Sequence, residues 1–290
     1  MKKKVLSILL AATFTVSMLA GCGSSTAKDD SAAKKEDAAD DAEKKDTASD
    51  GEFNITVNLA SEPQTMDPTL STSLDAGTMA HHLFEGLMKW EDSGKETNGS
   101  DGTANNAALV PGQAESYDRE ENEDGTVSYT FHLRDDIYWS DGEPVTANDF
   151  AYAWRRLVDP ATAADYSYMI ESVVNAPAII DGEKDPSELG VEAVDDKTFK
   201  VTLSTDLTYF EELCAFPALL PVREDIIEEK GDQWTFDVDS YITNGAYKMT
   251  EWTHNSEIVV AKNDKYYDVD NLGPDTITFK LMDDQNAMLS

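Results

Sequence analysis

From Gly51 onward, stretches in which every second residue is apolar alternate with stretches of helical period. Phe53, Ile55, Val57 and Leu59 share one face of Glu52 to Leu59, which predicts a half-buried strand stopped by Ser61-Glu62-Pro63. Ala114 to Arg119 and Thr126 to Leu133 flank Glu123-Asp124-Gly125, a hairpin turn that would set Val127, Tyr129, Phe131 and Leu133 on one face. A second hairpin is predicted over Val191 to Leu203 around Asp195-Asp196, and a third pairs Ala246 to Trp252 with Glu257 to Lys262 around His254-Asn255. Thr276 to Met282 reads as one more strand.

Helical spacing is clearest where Phe150, Ala153, Trp154, Leu157 and Val158 form one apolar stripe closed by Asp159-Pro160. Ser140-Asp141-Gly142 makes a turn ahead of it, and Thr146-Ala147-Asn148-Asp149 resembles a capping box with Asp in the Glu position. Leu74 to Met88 is broadly helical with Gly86 near its end, and Tyr209 to Leu213 reads as helix. Trp90 to Ala108, rich in Gly, Asn, Asp and Ser, predicts an exposed, inserted loop. Interleaved strands and helices give an α/β or mixed α+β class.

The first residues follow different rules. Lys2-Lys3-Lys4 precede an apolar run from Val5 to Met18 that is too short to span a bilayer, followed by Leu19-Ala20-Gly21-Cys22. That layout predicts a signal peptide over residues 1–21 ending at a bacterial lipobox, where the Cys22 thiol is acylated before cleavage and its freed amine afterwards. Two or three acyl chains, at about 0.8 kcal/mol per buried methylene, would hold the protein on a membrane face without a spanning helix. Ser24 to Asp50 contains only Ser, Thr, Ala, Lys, Asp and Glu and cannot build a core, so residues 22–51 read as a lipidated, solvated tether. The protein is therefore expected at the outer face of the bacterial cytoplasmic membrane.

A net charge of −34 repels phosphate backbones and anionic lipid, which disfavours a nucleic-acid partner. Of the two cysteines, acylation of Cys22 leaves only Cys214, so no intrachain disulfide is available, and its neighbours Leu213, Ala215 and Phe216 suggest a buried thiol. His81 and His82 are adjacent, which on a helix points them about 100° apart and unsuits them as joint metal ligands. Glu120 to Gly125 begins like a calcium loop, but the twelfth position is Phe131. No nucleophile elbow, phosphate-binding loop or dinucleotide fingerprint occurs, so neither an enzyme, a cofactor nor a metal is expected.

Tyr129-Thr130-Phe131-His132-Leu133-Arg134, followed by Trp139-Ser140-Asp141-Gly142-Glu143-Pro144-Val145-Thr146-Ala147-Asn148-Asp149-Phe150, resembles the family 5 extracellular solute-binding proteins, on the side of the oligopeptide binders of ABC importers. The resemblance continues collinearly at Thr65-Met66-Asp67-Pro68, Leu83-Phe84-Glu85-Gly86-Leu87, Trp154-Arg155-Arg156-Leu157 with Asp159-Pro160, Leu189-Gly190-Val191, Pro217 to Pro221, and Thr243-Asn244-Gly245-Ala246-Tyr247. It covers the chain after the tether.

The resemblance implies a lobe of the type II periplasmic-binding-protein class with an inserted smaller domain. Residues 52–84 and 223–290 would form the mixed-sheet domain of the first lobe, and residues 85–222 the insertion. Relatives continue past the position of Ser290, so the second lobe, with the acidic residue that holds a peptide's amine, is expected to be missing from this chain. As partners it implies an oligopeptide ligand and membrane permease subunits, with the binding protein a monomer. Thr72, Ser73 and Leu74 match the segment that pairs with the peptide main chain like an added strand, and Tyr166 matches a cleft tyrosine. Phe216 aligns near the cleft. Trp154 belongs to the helix stripe and is expected in the core, and the turn from Trp139 to Gly142 is expected to serve structure.

Other readings of the same residues are a surface sensor or adhesin module, a non-functional truncated copy, and a binder of a non-peptide solute such as nickel or haem.

Overall fold

The computed structural model describes residues 51–93 and 107–282. The signal segment, Cys22, the tether and the middle of the glycine-rich loop lie outside the described residues.

Strand β1 (Asn54–Leu59) opens the described chain. A 3₁₀ turn over Pro68–Leu70 leads into helix α1 (Leu74–Leu83), capped by Ser73, whose Oγ accepts from Ala76 N at 3.2 Å. The helix ends earlier than the pattern suggests, with Phe84 already extended. The reason lies at Gly86, where a Cβ would meet the Cys214 carbonyl oxygen at 2.5 Å, so the chain must leave the helix to pass that backbone.

Strands β2 (Met88–Asp92) and β3 (Ala107–Pro111) pair antiparallel, Trp90 opposite Leu109. The expected loop from Trp90 to Ala108 is thus strand at both ends, because Met88, Trp90 and Leu109 supply apolar positions that outweigh the flanking turn residues. Strands β4 (Ala114–Glu121) and β5 (Val127–Leu133) form the first predicted hairpin. Asn122 N donates to Thr126 O at 2.8 Å across the turn, and Gly125 takes the positive φ of 88° that the Asp-Gly step foretells. Val127, Tyr129, Phe131 and Leu133 are all buried.

Helix α2 (Ala147–Val158) carries the whole predicted stripe in the core. Its cap closes as expected: Thr146 N donates to Asp149 Oδ2 at 2.8 Å, and the indole of buried Trp139 reaches the same oxygen at 3.4 Å. Helix α3 (Ala176–Ile180), not anticipated, precedes the hairpin of β6 (Val191–Asp195) and β7 (Thr198–Leu203). Short helices α4 (Phe210–Leu213) and α5 (Glu224–Lys230) follow, then the hairpin of β8 (Tyr247–Thr253) and β9 (Glu257–Lys262), and last β10 (Thr276–Leu281).

Two four-stranded sheets result, with orders β1-β10-β9-β8 and β4-β5-β7-β6. The first is mixed, since β1 runs parallel to β10 from Asn54 against Thr276 to Leu59 against Leu281. One cluster of buried apolar side chains runs through both sheets and α2. The expected half-burial of β1 holds only at one end. Leu59 is buried, whereas Phe53 and Val57 stay exposed on β1, the edge strand of its sheet. Trp154 is fully buried and donates to the Leu219 carbonyl at 3.0 Å, tying α2 to the turn after α4.

The collinear motifs turn out to touch one another. Asn244 holds Glu85 at both backbone atoms, accepting from its N–H at 3.1 Å and donating to its carbonyl at 2.9 Å. A Cβ on Gly245 would lie 2.5 Å from the backbone of Leu83, so the approach of the two segments requires glycine there.

Candidate functional site

The site is assembled from the segment between the 3₁₀ turn and α1, the end of β2, the loop carrying Tyr166, and the turn after α4. Asp67 starts the segment. Its Oδ1 accepts from Thr69 N at 3.0 Å, and Arg156 on α2 grips both carboxylate oxygens, at 3.1 and 2.6 Å. The indole of Trp234 adds a contact to Oδ2 at 3.4 Å.

Ser71 and Ser73 are then extended, with φ/ψ of −70°/124° and −99°/154°. Among the described residues, no backbone hydrogen bond reaches Thr72, the Ser71 carbonyl or the Ser73 N–H. Ser71 is buried and Ser73 half-buried, but Thr72 between them is exposed, so its backbone donor and acceptor are unused at the surface.

That stretch lines a cavity of about 450 Å³ that Tyr166, Phe216 and Pro217 also line. The Tyr166 ring meets Phe216 edge to face, 5.2 Å between centroids at 87°. All four residues singled out in the sequence, Thr72, Ser73, Leu74 and Tyr166, come to this one cavity, with Phe216 beside them.

Other lining residues carry no mark in the sequence. His81 comes from α1, Trp90 from β2 and Glu212 from α4. Three separate elements converge there, and no local periodicity records it. His81 is exposed on α1, yet loss of solvation around its ring, and then the neighbouring His82, lower its pKa from the ordinary imidazole value.

A second cavity of about 310 Å³ adjoins the first, sharing His81, Trp90 and Ala215 with it. Its polar wall is built on Glu85, which is buried and accepts from Gln113 Nε2 at 3.1 Å and from the Tyr266 hydroxyl. Lys89 lies 3.5 Å from Glu85 and 2.8 Å from Glu91. Burial opposes the charge on Lys89, yet Glu85 and Glu91 outweigh it and hold the ammonium protonated well above the ordinary lysine range. Burial, and then the Glu85 charge, push the Tyr266 hydroxyl far up, so it stays a donor.

Among the described residues no group of three or more His, Cys, Asp or Glu side chains could hold a metal ion. No described helix is long and apolar enough to cross a membrane. The chemistry on offer is hydrogen bonding from open backbone, aromatic contact and carboxylate charge.

A family model for bacterial extracellular solute-binding proteins, family 5, middle region, matches residues 108–290. The periplasmic oligopeptide-binding protein OppA of Haemophilus influenzae is 40% identical over 223 residues, covering 76% of this chain and 38% of the relative. The oligopeptide-binding protein OppA of Bacillus subtilis is 32% identical over 290 residues, the whole chain and 48% of the relative. Among solved structures, Haemophilus influenzae OppA in complex with the peptide RPPGFSPFR superposes with a TM-score of 0.72 at 38% identity, covering 83% of this chain and 44% of that one. The chain thus spans less than half the length of each of these relatives. With the family model matching residues 108–290 and relatives at 32–40% identity, this chain belongs to the family 5 bacterial extracellular solute-binding proteins.

Proposed function

We propose that this protein is the solute-binding subunit of an ABC importer that captures oligopeptides outside the cell and delivers them to membrane permease subunits. The observation that carries the reading is the unpaired backbone at exposed Thr72, between extended Ser71 and Ser73, in a cavity that Tyr166 and Phe216 also line. A peptide added there as a strand would satisfy those donors and acceptors whatever its side chains, which suits a binder of varied sequences.

Thr72, Ser73 and Leu74 are the peptide-pairing residues and Tyr166 the facing aromatic. The protein acts as a monomer without a cofactor and performs no chemistry on its ligand. Residues 52–84 and 223–290 form the mixed-sheet domain, and residues 85–222 the inserted one. Cys22, acylated after removal of residues 1–21, anchors the protein at the outer face of the cytoplasmic membrane, and residues 22–51 tether it there.

Calorimetric titration of the full chain with RPPGFSPFR and with a mixed pool of short peptides tests the reading. Binding that falls at least about tenfold in the Thr72→Pro variant, which loses a backbone donor, supports it. Ser71 already has the extended backbone that a following proline requires. No heat of binding from any peptide, or unchanged affinity in Thr72→Pro, overturns it.

A further inference from the structure

Three aromatic side chains, Trp90, Tyr166 and Phe216, line the cavity of about 450 Å³ together with Glu212. Trp90 is 45% exposed, so much of its ring is open to a ligand. The two acidic residues of α4 have different surroundings. Glu211 accepts from the Tyr117 hydroxyl at 2.8 Å, while Glu212 is exposed at the cavity and its carboxylate takes no hydrogen bond or ion pair among the described residues.

No lysine or arginine is among the described residues that line this cavity. The adjoining cavity brings Glu85, Glu91 and one cation, Lys89, already engaged by both carboxylates. Across the two cavities the ionised groups are three carboxylates and one ammonium, within a protein of net charge −34. A ligand group entering there meets an excess of negative charge and aromatic faces. Both favour a cation, the first by direct attraction and the second through the negative ring face.

We propose that Glu212, with the rings of Trp90, Tyr166 and Phe216, forms a subsite for a cationic side chain, lysine or arginine, of the bound peptide. The proposal rests on the reading of this cavity as a peptide site. Glu212 determines specificity there: it pairs with the side chain while the open backbone at Thr72 holds the main chain. An aspartate or glutamate side chain at the same place would face Glu212 with no cation to offset it, so acidic peptides are rejected.

Competition binding on the full chain, with peptide series identical except for one position varied among lysine, arginine, norleucine and glutamate, tests this. At the position that fills the subsite, lysine and arginine are expected to bind about tenfold better than norleucine, a preference that shrinks as salt is raised. Glu212→Gln should reduce the preference to about threefold or less, and Glu212→Lys should turn it toward glutamate. Norleucine peptides should bind the wild type and both variants alike, which also reports that the variants are folded. Equal affinity for lysine and norleucine at every position, or a lysine preference unchanged in both variants, overturns the subsite while leaving peptide binding intact. Failure of every series to bind overturns the peptide reading itself and the subsite with it.

Discussion

Arg156 closes a two-pronged ion pair on Asp67, Nη1 to Oδ1 at 3.1 Å and Nη2 to Oδ2 at 2.6 Å, with both side chains largely withdrawn from solvent. The pair fastens the segment that enters the cavity wall to α2, and Thr69 N and the Trp234 indole complete the shell around the carboxylate. Removing one partner strands the other charge in a site with little water.

Asp67→Ala and Arg156→Ala should therefore each destabilise the fold by about 3–5 kcal/mol, read from urea denaturation. The double variant should cost clearly less than the sum of the two, because neither charge is left stranded. Each single variant should also weaken peptide binding by loosening Ser71 to Ser73. Strict additivity would show that the two groups do not act as a pair.

Cys214 is buried, and that burial, with the Glu211 charge as a lesser contribution, raises its thiol well above the ordinary range. In the native mature protein the thiol should not react with a disulfide reagent at neutral pH. After denaturation, one thiol per chain is expected if Cys22 carries lipid and two if it is free. Cys22→Ser should release the protein from membranes into the soluble fraction. Retention on the membrane by that variant would contradict the anchor.

Glu62, just past β1, accepts from His254 Nδ1 at 2.6 Å and from Asn255 N at 2.7 Å in the β8–β9 turn. Burial alone would raise its pKa, but the hydrogen bonds from His254 and Asn255 outweigh burial and leave it below the ordinary glutamate range. The folded protein thus keeps Glu62 ionised at pH values where the unfolded chain protonates it. Its contribution is present in full above the ordinary range and is lost as pH falls through the lowered folded value. Glu62→Gln should flatten the acid side of the stability curve below about pH 5, by an amount under about 1 kcal/mol for a pair this exposed. A parallel shift of the whole curve would mean that Glu62 does not titrate in this way.

Local pattern reached some of these features and missed others for identifiable reasons. Phe150, Trp154 and Leu157 could be placed in the core because helical spacing alone decides which face is covered. Asp124-Gly125 and Thr146 to Asp149 could be placed because turn and cap chemistry is local. The end of α1 could not, since it depends on Gly86 passing the backbone of Cys214, far along the chain. The Asp67–Arg156 pair joins residues 89 apart, and among so many charges no local rule selects it. Thr72, Ser73, Leu74 and Tyr166 were accessible through resemblance to a family, not through periodicity. Trp90 was obscured by the turn-rich residues that follow it, and His81 and Glu212 acquire their place only when α1, β2 and α4 converge.

Amide hydrogen exchange across Ser71 to Ser73, measured on the full chain with and without saturating RPPGFSPFR, tests the central claim most directly. Pairing of a peptide main chain with this segment predicts that the Thr72 and Ser73 amides, open in the free protein, become strongly protected on binding. Unchanged exchange at both amides under saturating peptide would contradict strand addition at this wall of the cavity.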